Sequence, residues 1–430
     1  LGHQPLTLDP RRLSQLERRL RNVKERLRDL HWQRVQLTRW CTLLRRDLAE
    51  AEDRAQRELA AEQTHADAAV FAVQGWAPRP AVDDVRRYAG QHGLALTVAA
   101  PTSDDAPPTL LRNPERVAGG EGAVTFYITP GYTTWDPTTI VFISFCLFYA
   151  MIFSDAGYAL VLGGVVAAFW RKFETSATGI RFRNLLIGLV AAAALYGVLV
   201  GSSFGVTPAA ESLRGALKSL DIHDQRSMMD LAVAIGGLHS ILANCTSARR
   251  FRRTSRCLGA LVWAIMIAGR LVYGVSMMDA TQPGWWKQMG QGLVIAGAVS
   301  VFCFSSARPL FSLKPGDWFG RLFDGFTALT GVSKIFGDTL SYLRLFALGL
   351  ASAQLAVTFN GLAATTADSI AGVGILLAGL ILLLGHGINF LLAVMSGVVH
   401  GLRLNCIEFF NWSLTEQGYP FHAFCKKAER

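Results

Sequence analysis

Charged side chains are scarce in this chain. Asp, Glu, Lys and Arg make up 17% of its 430 residues, whereas hydrophobic residues make up 51% and the mean hydropathy is +0.29. A soluble domain carries more charge and less apolar surface than this. The composition therefore excludes an ordinary soluble protein and indicates a chain that crosses a membrane several times.

Motifs for metals, disulfides and nucleotides are also missing. The seven cysteines form no CxxC pair and no cluster with histidine at metal-ligand spacing, which excludes a zinc site and a disulfide framework. No Walker A loop, GxxxxGK[ST], occurs in the chain. No apolar segment precedes residue 138, so a signal peptide is not indicated. We expect no catalytic residues, no metal and no cofactor.

The formal net charge of +10 raises the question of a nucleic-acid partner. Basic residues near the N-terminus are interspersed with acidic ones, and most of the others lie in loops between apolar segments. That distribution is typical of the cytoplasmic loops of membrane proteins. We therefore expect the partner to be a lipid bilayer and not a nucleic acid.

Residues 1–100 are expected to form a cytoplasmic arm. Leucine and valine recur every three or four residues between about Asp9 and His65, which predicts one long coiled-coil helix with a charged face. A strand-like run from Ala69 to Trp76, a helix from Val82 to His92 and a second run from Leu94 to Ala99 predict a small α/β lobe. Two strands and one helix cannot bury a core alone, so the arm is expected to dock on a partner.

A linker rich in proline and glycine, residues 101–136, leads into the apolar part of the chain. We expect transmembrane helices 1–6 in residues 137–306, two long tilted helices in 307–412 and a cytoplasmic tail in 413–430. Apolar segments run at about 139–170, 184–204, 229–246, 257–278, 288–306, 322–362 and 369–412. The first and the last two are longer than the roughly 20 residues that cross a bilayer.

The positive-inside rule decides how the first long segment is counted. If residues 139–154 and 156–170 form a hairpin broken around Asp155 and Gly157, every basic loop lies on the side of the N-terminal arm. The basic residues concerned are Arg171, Lys172, Arg181, Arg183, Arg249, Arg250, Arg252, Arg253, Arg256, Arg308, Lys314, Arg321, Lys426, Lys427 and Arg430. A single first span would place those loops outside. We therefore predict a mainly α-helical polytopic protein of about eight spans with both termini cytoplasmic.

Ionisable residues inside the apolar segments indicate the chemistry, because a charge at the bilayer centre costs at least about 2.5–3.5 kcal/mol. Arg344 lies too deep in its segment to reach the interface easily, and Arg403 lies in the last long segment. The same part of the chain and the earlier segments supply further polar candidates, which are His386, Asn389, His400, Glu408, Asp155 and His239. Helical spacing places His386, Asn389 and Arg403 broadly on one face, where they could line a wet crevice. The alternative is that these groups only hydrogen-bond between packed helices.

Several stretches resemble a known family. SYLRLFALGLASAQL at 341–355 and GHGINFLLAVMSGVVHGLRLNCIEFF at 385–410 are similar to the C-terminal half of the membrane stator subunit of rotary V/A-type ATPases, called subunit a or subunit I. Further matching stretches occur in the family's order, namely AVFAVQGWAPRPAVDDVRRYA, PPTLLRNP, FYAMIFSDAGYALVL, LYGVLVGSSFG and IGGLHSILAN. The resemblance covers about residues 69–412 and is that of a short prokaryotic member.

The resemblance implies an ion-translocating subunit without catalytic activity of its own. In the family, one arginine faces a rotating ring of proteolipid c subunits that each carry one membrane carboxylate. Arg344 takes that position, and Arg403 takes the position of a second family arginine. A guanidinium favours the ionised form of a nearby carboxylate, which cannot cross lipid while charged. Two aqueous half-channels would then couple proton or sodium movement to ATP hydrolysis or synthesis on other subunits, with Glu408 and His400 as candidates for the cytoplasmic one.

The chain departs from the family at two positions near these arginines. Ser352 stands where eukaryotic members typically carry histidine, and Ala393 stands where they carry glutamate. The far-side half-channel is therefore expected to use other groups, with His386 and Asn389 as candidates beside Ser352. The arm holds only one long helix and half of the proximal lobe, so it is either incomplete or naturally short.

The resemblance also implies partners and a location. Beside the c-ring, the expected partners are peripheral-stalk subunits of the E/G type and a central-stalk subunit of the d/C type. The expected location is the plasma membrane of a prokaryote, as a multi-pass integral protein.

Two other functions remain open. A secondary transporter is expected to show two similar halves with paired broken helices, and no such repeat is visible. A membrane anchor or scaffold would use its buried arginines only to hold helices together. Only the stator hypothesis predicts that Arg344 is essential for ion movement and dispensable for assembly.

Overall fold

The structure is a computed structural model. It describes residues 10–67, 70–102, 104–209, 211–222, 224–252, 256–278, 283–304, 306, 315–369, 372–414 and 416–426. The predicted basic residues Arg253, Arg308, Lys314, Lys427 and Arg430 lie outside these ranges. The described chain is mainly α-helical and divides into two compact units, residues 1–99 with 421–430, and residues 100–420.

The smaller unit contains the predicted long helix. α1 extends over 53 residues, Pro10–Glu62. Its regularly spaced apolar side chains, such as Leu20 and Leu27, are more than half exposed. A helix of this length is maintained by its own backbone hydrogen bonds, and its apolar stripe stays on the surface of the unit.

A short hairpin and one helix follow α1. β1 (His65–Asp67) and β2 (Val70–Ala72) pair antiparallel. A 3-10 turn, Arg79–Ala81, leads into α2, Val82–Gln91, which confirms the predicted helix. The predicted second strand at Leu94–Ala99 is wrong, because these residues are exposed with no strand beside them and β2 pairs with β1 instead.

The larger unit is a bundle of helices. Their bounds are α3 Gly119–Thr125, α4 Thr138–Phe153, α5 Ala156–Ala168, α6 Trp170–Phe173, α7 Ala177–Val200, α8 Leu213–Leu217, α9 Gln225–Arg250, α10 Arg256–Met278, α11 Gly284–Phe304, α12 Pro315–Ser341, α13 Leu343–Ser369, α14 Gly374–Arg403 and α15 Phe410–Ser413. A π-helical turn, Leu404–Phe409, joins α14 to α15. The predicted long segment 322–362 is interrupted at Tyr342, between α12 and α13.

Among the residues that the structure describes, five helical segments are long and apolar enough to cross a membrane. They are Ala177–Val200, Gln225–Arg250, Cys257–Met277, Trp318–Ser369 and Gly374–Ser413. α4 and α5 are apolar but shorter, with 16 and 13 residues. The protein is therefore a membrane protein by length and composition, and the predicted count of eight spans stays a prediction.

The first apolar segment turns back on itself between α4 and α5. The contacts that each of these helices makes with α7 show that they run in opposite directions. Gly188 of α7 packs against Cys146 of α4, and farther along α7 Gly197 packs against the start of α5. α7 thus runs parallel to α4. Gly163, later in α5, packs against α7 between those two glycines, so α5 runs in the opposite direction. The break between Phe153 and Ala156 confirms the predicted hairpin.

Local polar contacts set the ends of the membrane helices. Ser176 caps α7 by accepting the Gly179 N–H at 3.0 Å, and Asp224 caps α9 by accepting the Ser227 N–H at 3.3 Å. Such caps satisfy backbone donors that the first turn leaves free. α7 ends at Gly201, whose φ of +71° is a conformation that glycine adopts without strain.

α14 lies directly against α4 because it presents glycine at the contact. The Tyr149 ring packs on Gly397, and the Phe145 ring packs on Gly401. Both rings belong to a buried core shared by α4, α5, α7 and α14. The close contact carries the C-terminal end of α14 and the π-helical turn to the N-terminal half of α4.

Candidate functional site

Arg344 is the second residue of α13, immediately after the interruption at Tyr342. It lies at the centre of the apolar segment Trp318–Ser369, far from both ends. Its Nη1 atom is buried and has no hydrogen-bond partner among the described residues. None of the ion pairs in the described part of the chain includes this guanidinium. Such an orphaned buried group calls for a functional explanation.

The π-helical turn supplies the acidic group beside Arg344. Glu408 lies in this turn and is 5% exposed. Its carboxyl lies within electrostatic range of Arg344 and Arg403 and within hydrogen-bonding range of Ser341. Its Oε2 atom has no hydrogen-bond partner within the described ranges. π-helical turns inside helices occur frequently at functional sites.

His400 and Arg403 complete this group. Both belong to the last turns of α14, and the His400 ring lies within electrostatic range of Arg344 and Arg403. Nδ1 of His400 is buried without a hydrogen-bond partner in the described chain, whereas the Arg403 side chain is exposed on the surface of the unit. The structure therefore brings together four predicted residues, Arg344, His400, Arg403 and Glu408, and we call them the arginine cluster.

His239 borders the arginine cluster from α9. Its Nδ1 atom lies 2.8 Å from the Tyr342 hydroxyl, and its ring stacks on Phe409 with 4.5 Å between centroids. Nε2 of His239 is buried and unpartnered within the described residues. Phe409 follows Glu408 in the π-helical turn, so His239 contacts the turn that carries the buried carboxyl.

A second polar group joins α5, α13 and α14. Asn389 is 1% exposed; its Nδ2 donates to the Ser352 carbonyl oxygen at 2.9 Å and to the Tyr158 hydroxyl at 3.1 Å. The Ser352 hydroxyl donates to Oδ1 of Asn389 at 3.2 Å. The Tyr158 hydroxyl also lies 2.7 Å from Nδ1 of His386. The three predicted far-side candidates, Ser352, His386 and Asn389, are thus contiguous, and with Tyr158 we call them the far-side cluster.

Asp155 has a local role in holding this region together. Its carboxylate accepts the Tyr158 N–H at 2.9 Å, the Ser202 hydroxyl at 2.8 Å and the Gly205 N–H at 3.3 Å. The first contact caps α5, and the other two fix the loop after α7. A buried carboxylate with three donors is satisfied where it stands.

The polar residues predicted on one face of α14 are therefore divided between the two clusters. His386 and Asn389 contact α5 and α13, whereas His400 and Arg403 belong to the arginine cluster about ten residues later. Three residues of this region were not predicted from the sequence, namely Tyr158, Tyr342 and Ser341. Tyr158 follows the break at Asp155 by three residues, and that spacing is the only signal that could have indicated it.

Metal binding has no support from the described residues, among which no group of three or more His, Cys, Asp or Glu side chains is placed to hold an ion. The polar groups of both clusters are hydrogen-bond donors and acceptors without such a donor set. They can bind water and exchange protons with it.

The C-terminal part of the chain matches a known protein family. The V-type ATPase 116kDa subunit family matches residues 332–426, a range that contains all of α13, with Arg344, and all of α14. His239 and Asp155 lie before it.

Curated relatives match more of the chain. V-type ATP synthase subunit I of Chlamydia pneumoniae is 26% identical over 96% of this chain and 69% of its own length. V-type ATP synthase subunit I 1 of Treponema pallidum is 29% identical over 79% of the chain and 55% of its length. A-type ATP synthase subunit I of Methanocaldococcus jannaschii is 25% identical over 84% of the chain and 55% of its length. The chain thus spans between 55% and 69% of the length of these relatives.

Proposed function

The chain belongs to the subunit a/I family of V-type and A-type ATPases, and from this premise we propose that it is the ion-translocating stator subunit of a rotary ATPase. In this role it forms two aqueous half-channels against a ring of proteolipid c subunits. It couples the movement of protons or sodium ions to ATP hydrolysis or synthesis, which takes place on other subunits.

The observation that carries this proposal is the buried Nη1 atom of Arg344, which has no hydrogen-bond partner among the described residues. A charge in the middle of an apolar segment is costly, and within the described residues no ion pair balances it. A carboxylate brought by another subunit would balance it. Arginine suits this role because it stays charged at every working pH, whereas a desolvated lysine can lose its proton.

The arginine cluster supports a cytoplasmic half-channel. Glu408 and His400 each present a buried atom without a partner in the described chain, and both lie within electrostatic range of Arg344. Buried polar groups of this kind are usually satisfied by internal water. A proton released near Arg344 would pass to water held by these side chains.

The far-side cluster supports the other half-channel. Ser352 lies on α13 eight residues after Arg344, about 12 Å along a helix, and it contacts Asn389 directly. Along the chain, Arg344 lies between Ser341, which is within hydrogen-bonding range of Glu408, and Ser352 of the far-side cluster. A fixed positive charge at that point would prevent protons from passing directly between them.

Charge distribution supports the proposed orientation. Arg181, at the start of α7, pairs with Glu121 at 2.8 Å, and Arg250, at the end of α9, pairs with Glu416 at 2.9 Å. Gly119 and Gly120 place α3 against the starts of α4 and α7. By the positive-inside rule this end faces the cytoplasm, which fits eight spans with both termini cytoplasmic in a prokaryotic plasma membrane.

The partners follow from this assignment as proposals. The c-ring would face the exposed side of α13 and α14 at Arg403. Peripheral-stalk subunits of the E/G type would bind the charged helix α1, and a central-stalk subunit of the d/C type would complete the complex.

Mass spectrometry of the chain purified from its native membrane in mild detergent tests the assembly. A small proteolipid in many copies, together with large subunits that hydrolyse ATP, is the expected result. A chain that arrives alone or as a homo-oligomer and transports ions by itself would instead establish a secondary transporter. An anchor function would leave ion pumping unchanged when Arg344 is replaced.

A further inference from the structure

His386 is held by a directed series of hydrogen bonds between three helices and one loop. Its Nδ1 atom lies 2.7 Å from the Tyr158 hydroxyl, and its Nε2 atom lies 2.9 Å from Oδ1 of Asn360. Asn360 Nδ2 donates to the Phe204 carbonyl oxygen at 2.8 Å. Both ring nitrogens are therefore in use, and the neighbours decide which one carries the proton.

Two backbone carbonyls determine the direction of this series. A carbonyl oxygen only accepts, so the atom of Asn360 that faces Phe204 must be its NH2 group, and its oxygen must face His386. The same reasoning applies to Asn389, whose NH2 group faces the Ser352 carbonyl. Neither amide can be reversed without placing two acceptors against each other.

These orientations assign the proton on the neutral His386 ring. Because Oδ1 of Asn360 accepts, Nε2 of His386 must donate and therefore carries the hydrogen. Nδ1 is then the acceptor, and the Tyr158 hydroxyl donates to it. The Tyr158 oxygen in turn accepts the N–H of Asn389. Each contact in the series therefore pairs one donor with one acceptor.

Asp155 holds in place the two elements at the ends of this series, which are the start of α5 and the loop after α7. Asp155 caps the helix that carries Tyr158, and through Ser202 and Gly205 it holds the loop that carries the Phe204 carbonyl. Phe204 itself has a φ of +52°, which is unusual for a residue with a large side chain. The loop conformation is thus maintained by contacts that also place the partner of Asn360.

The geometry assigns Tyr158 and Asn360 as positioning residues that hold His386 as the neutral Nε2–H tautomer, so that Nδ1, which accepts the Tyr158 hydroxyl, is the ring nitrogen that takes up a proton on the far side of the ion pathway. Protonation transfers a proton from a hydronium ion to the Nδ1 lone pair and leaves water behind. The Tyr158 oxygen then accepts from both Nδ1 and Asn389, and its own O–H is released from the ring. The use of this arrangement in transport rests on the proposed function above; the tautomer does not.

Charged and titratable groups around the ring are few among the described residues. Tyr158 faces it from α5, and Asp155 at the start of that helix lies within electrostatic range. The facing group on α13 is the uncharged Asn360, and Phe204 faces it edge-on from the loop at 5.7 Å between centroids. Asp155 is thus the negative charge that would face a protonated His386.

Nitrogen NMR of the full chain in lipid bilayers, labelled with 15N-histidine, tests the tautomer directly. The His386 signals are identified by their loss in His386→Gln. At neutral pH we expect a protonated Nε2 and an unprotonated, hydrogen-bonded Nδ1. Asn360→Leu should populate both tautomers, while Tyr158→Phe should keep the tautomer and remove the hydrogen bond to Nδ1. A protonated Nδ1 in the unmodified neutral ring, or a mixture, would overturn the assignment.

ATP-driven pumping by the whole complex in vesicles tests whether transport uses this arrangement. Asn360→Leu and Tyr158→Phe should each reduce pumping at least threefold in complexes that still assemble. Tyr149→Phe is the matched control, because Tyr149 is a buried tyrosine of α4 outside this series, and it should pump normally. Unchanged pumping in both test variants would overturn the role in transport. Normal pumping by Arg344→Gln would instead overturn the proposed function and leave the NMR result standing.

Discussion

The hydroxyl of Tyr158 lies 2.7 Å from Nδ1 of His386, although 228 residues separate them in sequence. The contact joins the second arm of the first hairpin to the long helix α14. Because Asn389 reaches the same hydroxyl, the short helix α5 belongs to the wall of the far-side cluster. The hairpin of α4 and α5 therefore reverses the chain and also contributes Tyr158 to the far-side cluster.

Asp155 is expected to act as a cap and not as an ion carrier. Asp155→Asn keeps the acceptor for the Tyr158 N–H but places an NH2 group against Gly205, so we expect a loss of stability of about 1 kcal/mol. Pumping by the assembled complex should continue at a reduced rate, because asparagine lacks the negative charge that faces a protonated His386. Thermal unfolding and ATP-driven pumping measure the two effects. An Asp155→Asn complex that is stable but pumps no ions would contradict the role of Asp155 as a cap.

Close packing of Phe204 on Gly157 predicts a second effect. A Cβ atom at position 157 would lie 2.5 Å from the Phe204 ring, so Gly157→Ala should displace the loop and destabilise the protein by about 1–3 kcal/mol. Gly164→Ala is the matched control in the same helix, since a Cβ there meets nothing within 4 Å. Thermal unfolding should separate the two variants, and equal stability would show that the loop tolerates displacement.

Glu408 is expected to exchange protons beside Arg344. Glu408→Gln keeps the shape of the side chain but cannot ionise, so pumping should fall at least tenfold, which corresponds to about 1.4 kcal/mol in the barrier. Glu174→Gln, which removes only the exposed partner of Arg183, should pump normally. The measurement is ATP-driven acidification of vesicles that contain equal amounts of assembled complex. Full activity of Glu408→Gln would exclude this carboxyl from the pathway.

Glu416 predicts a pH-dependent docking of the segment that follows α15. The Thr133 hydroxyl and the Arg250 guanidinium hold the pKa of Glu416 below its usual value of 4.5. A lowered folded-state pKa stabilises the docked segment above about pH 4.5, and this contribution is lost as the pH falls through the lowered pKa. The protection of the amides of residues 416–419 from hydrogen exchange should therefore decrease at acidic pH. Glu416→Gln should make the docking independent of pH in this range, and an unchanged pH dependence would contradict the account.

Hydrophobic periodicity made much of the helical architecture predictable. The long helix α1, the helix α2, the break at Asp155 and the apolar segments all follow from the spacing of apolar residues and from Gly or Asp at the breaks. The strand expected at Leu94–Ala99 was wrong because strand pairing depends on a neighbour that local sequence does not reveal.

The candidate site was predictable residue by residue but not as an arrangement. Costly intramembrane charges single out Arg344, Arg403 and Glu408. The division of α14 into two polar clusters depends on which helices pack beside it, and the π-helical turn that buries Glu408 has no pattern in the sequence. Tyr158 was missed because a tyrosine in an apolar helix gives no sign that its hydroxyl meets a histidine 228 residues later.

The central claim is that Arg344, whose buried Nη1 atom has no hydrogen-bond partner among the described residues, couples ion movement to ATP turnover. The most direct measurement is the ratio of ions moved to ATP hydrolysed by the reconstituted complex with Arg344→Gln. Arg270→Gln is the matched control, because Arg270 lies on α10 with its guanidinium 4.6 Å from the Phe336 ring centroid, outside the arginine cluster. The account predicts an assembled Arg344→Gln complex that moves no ions against a gradient, while Arg270→Gln stays coupled. Normal pumping by Arg344→Gln would contradict it.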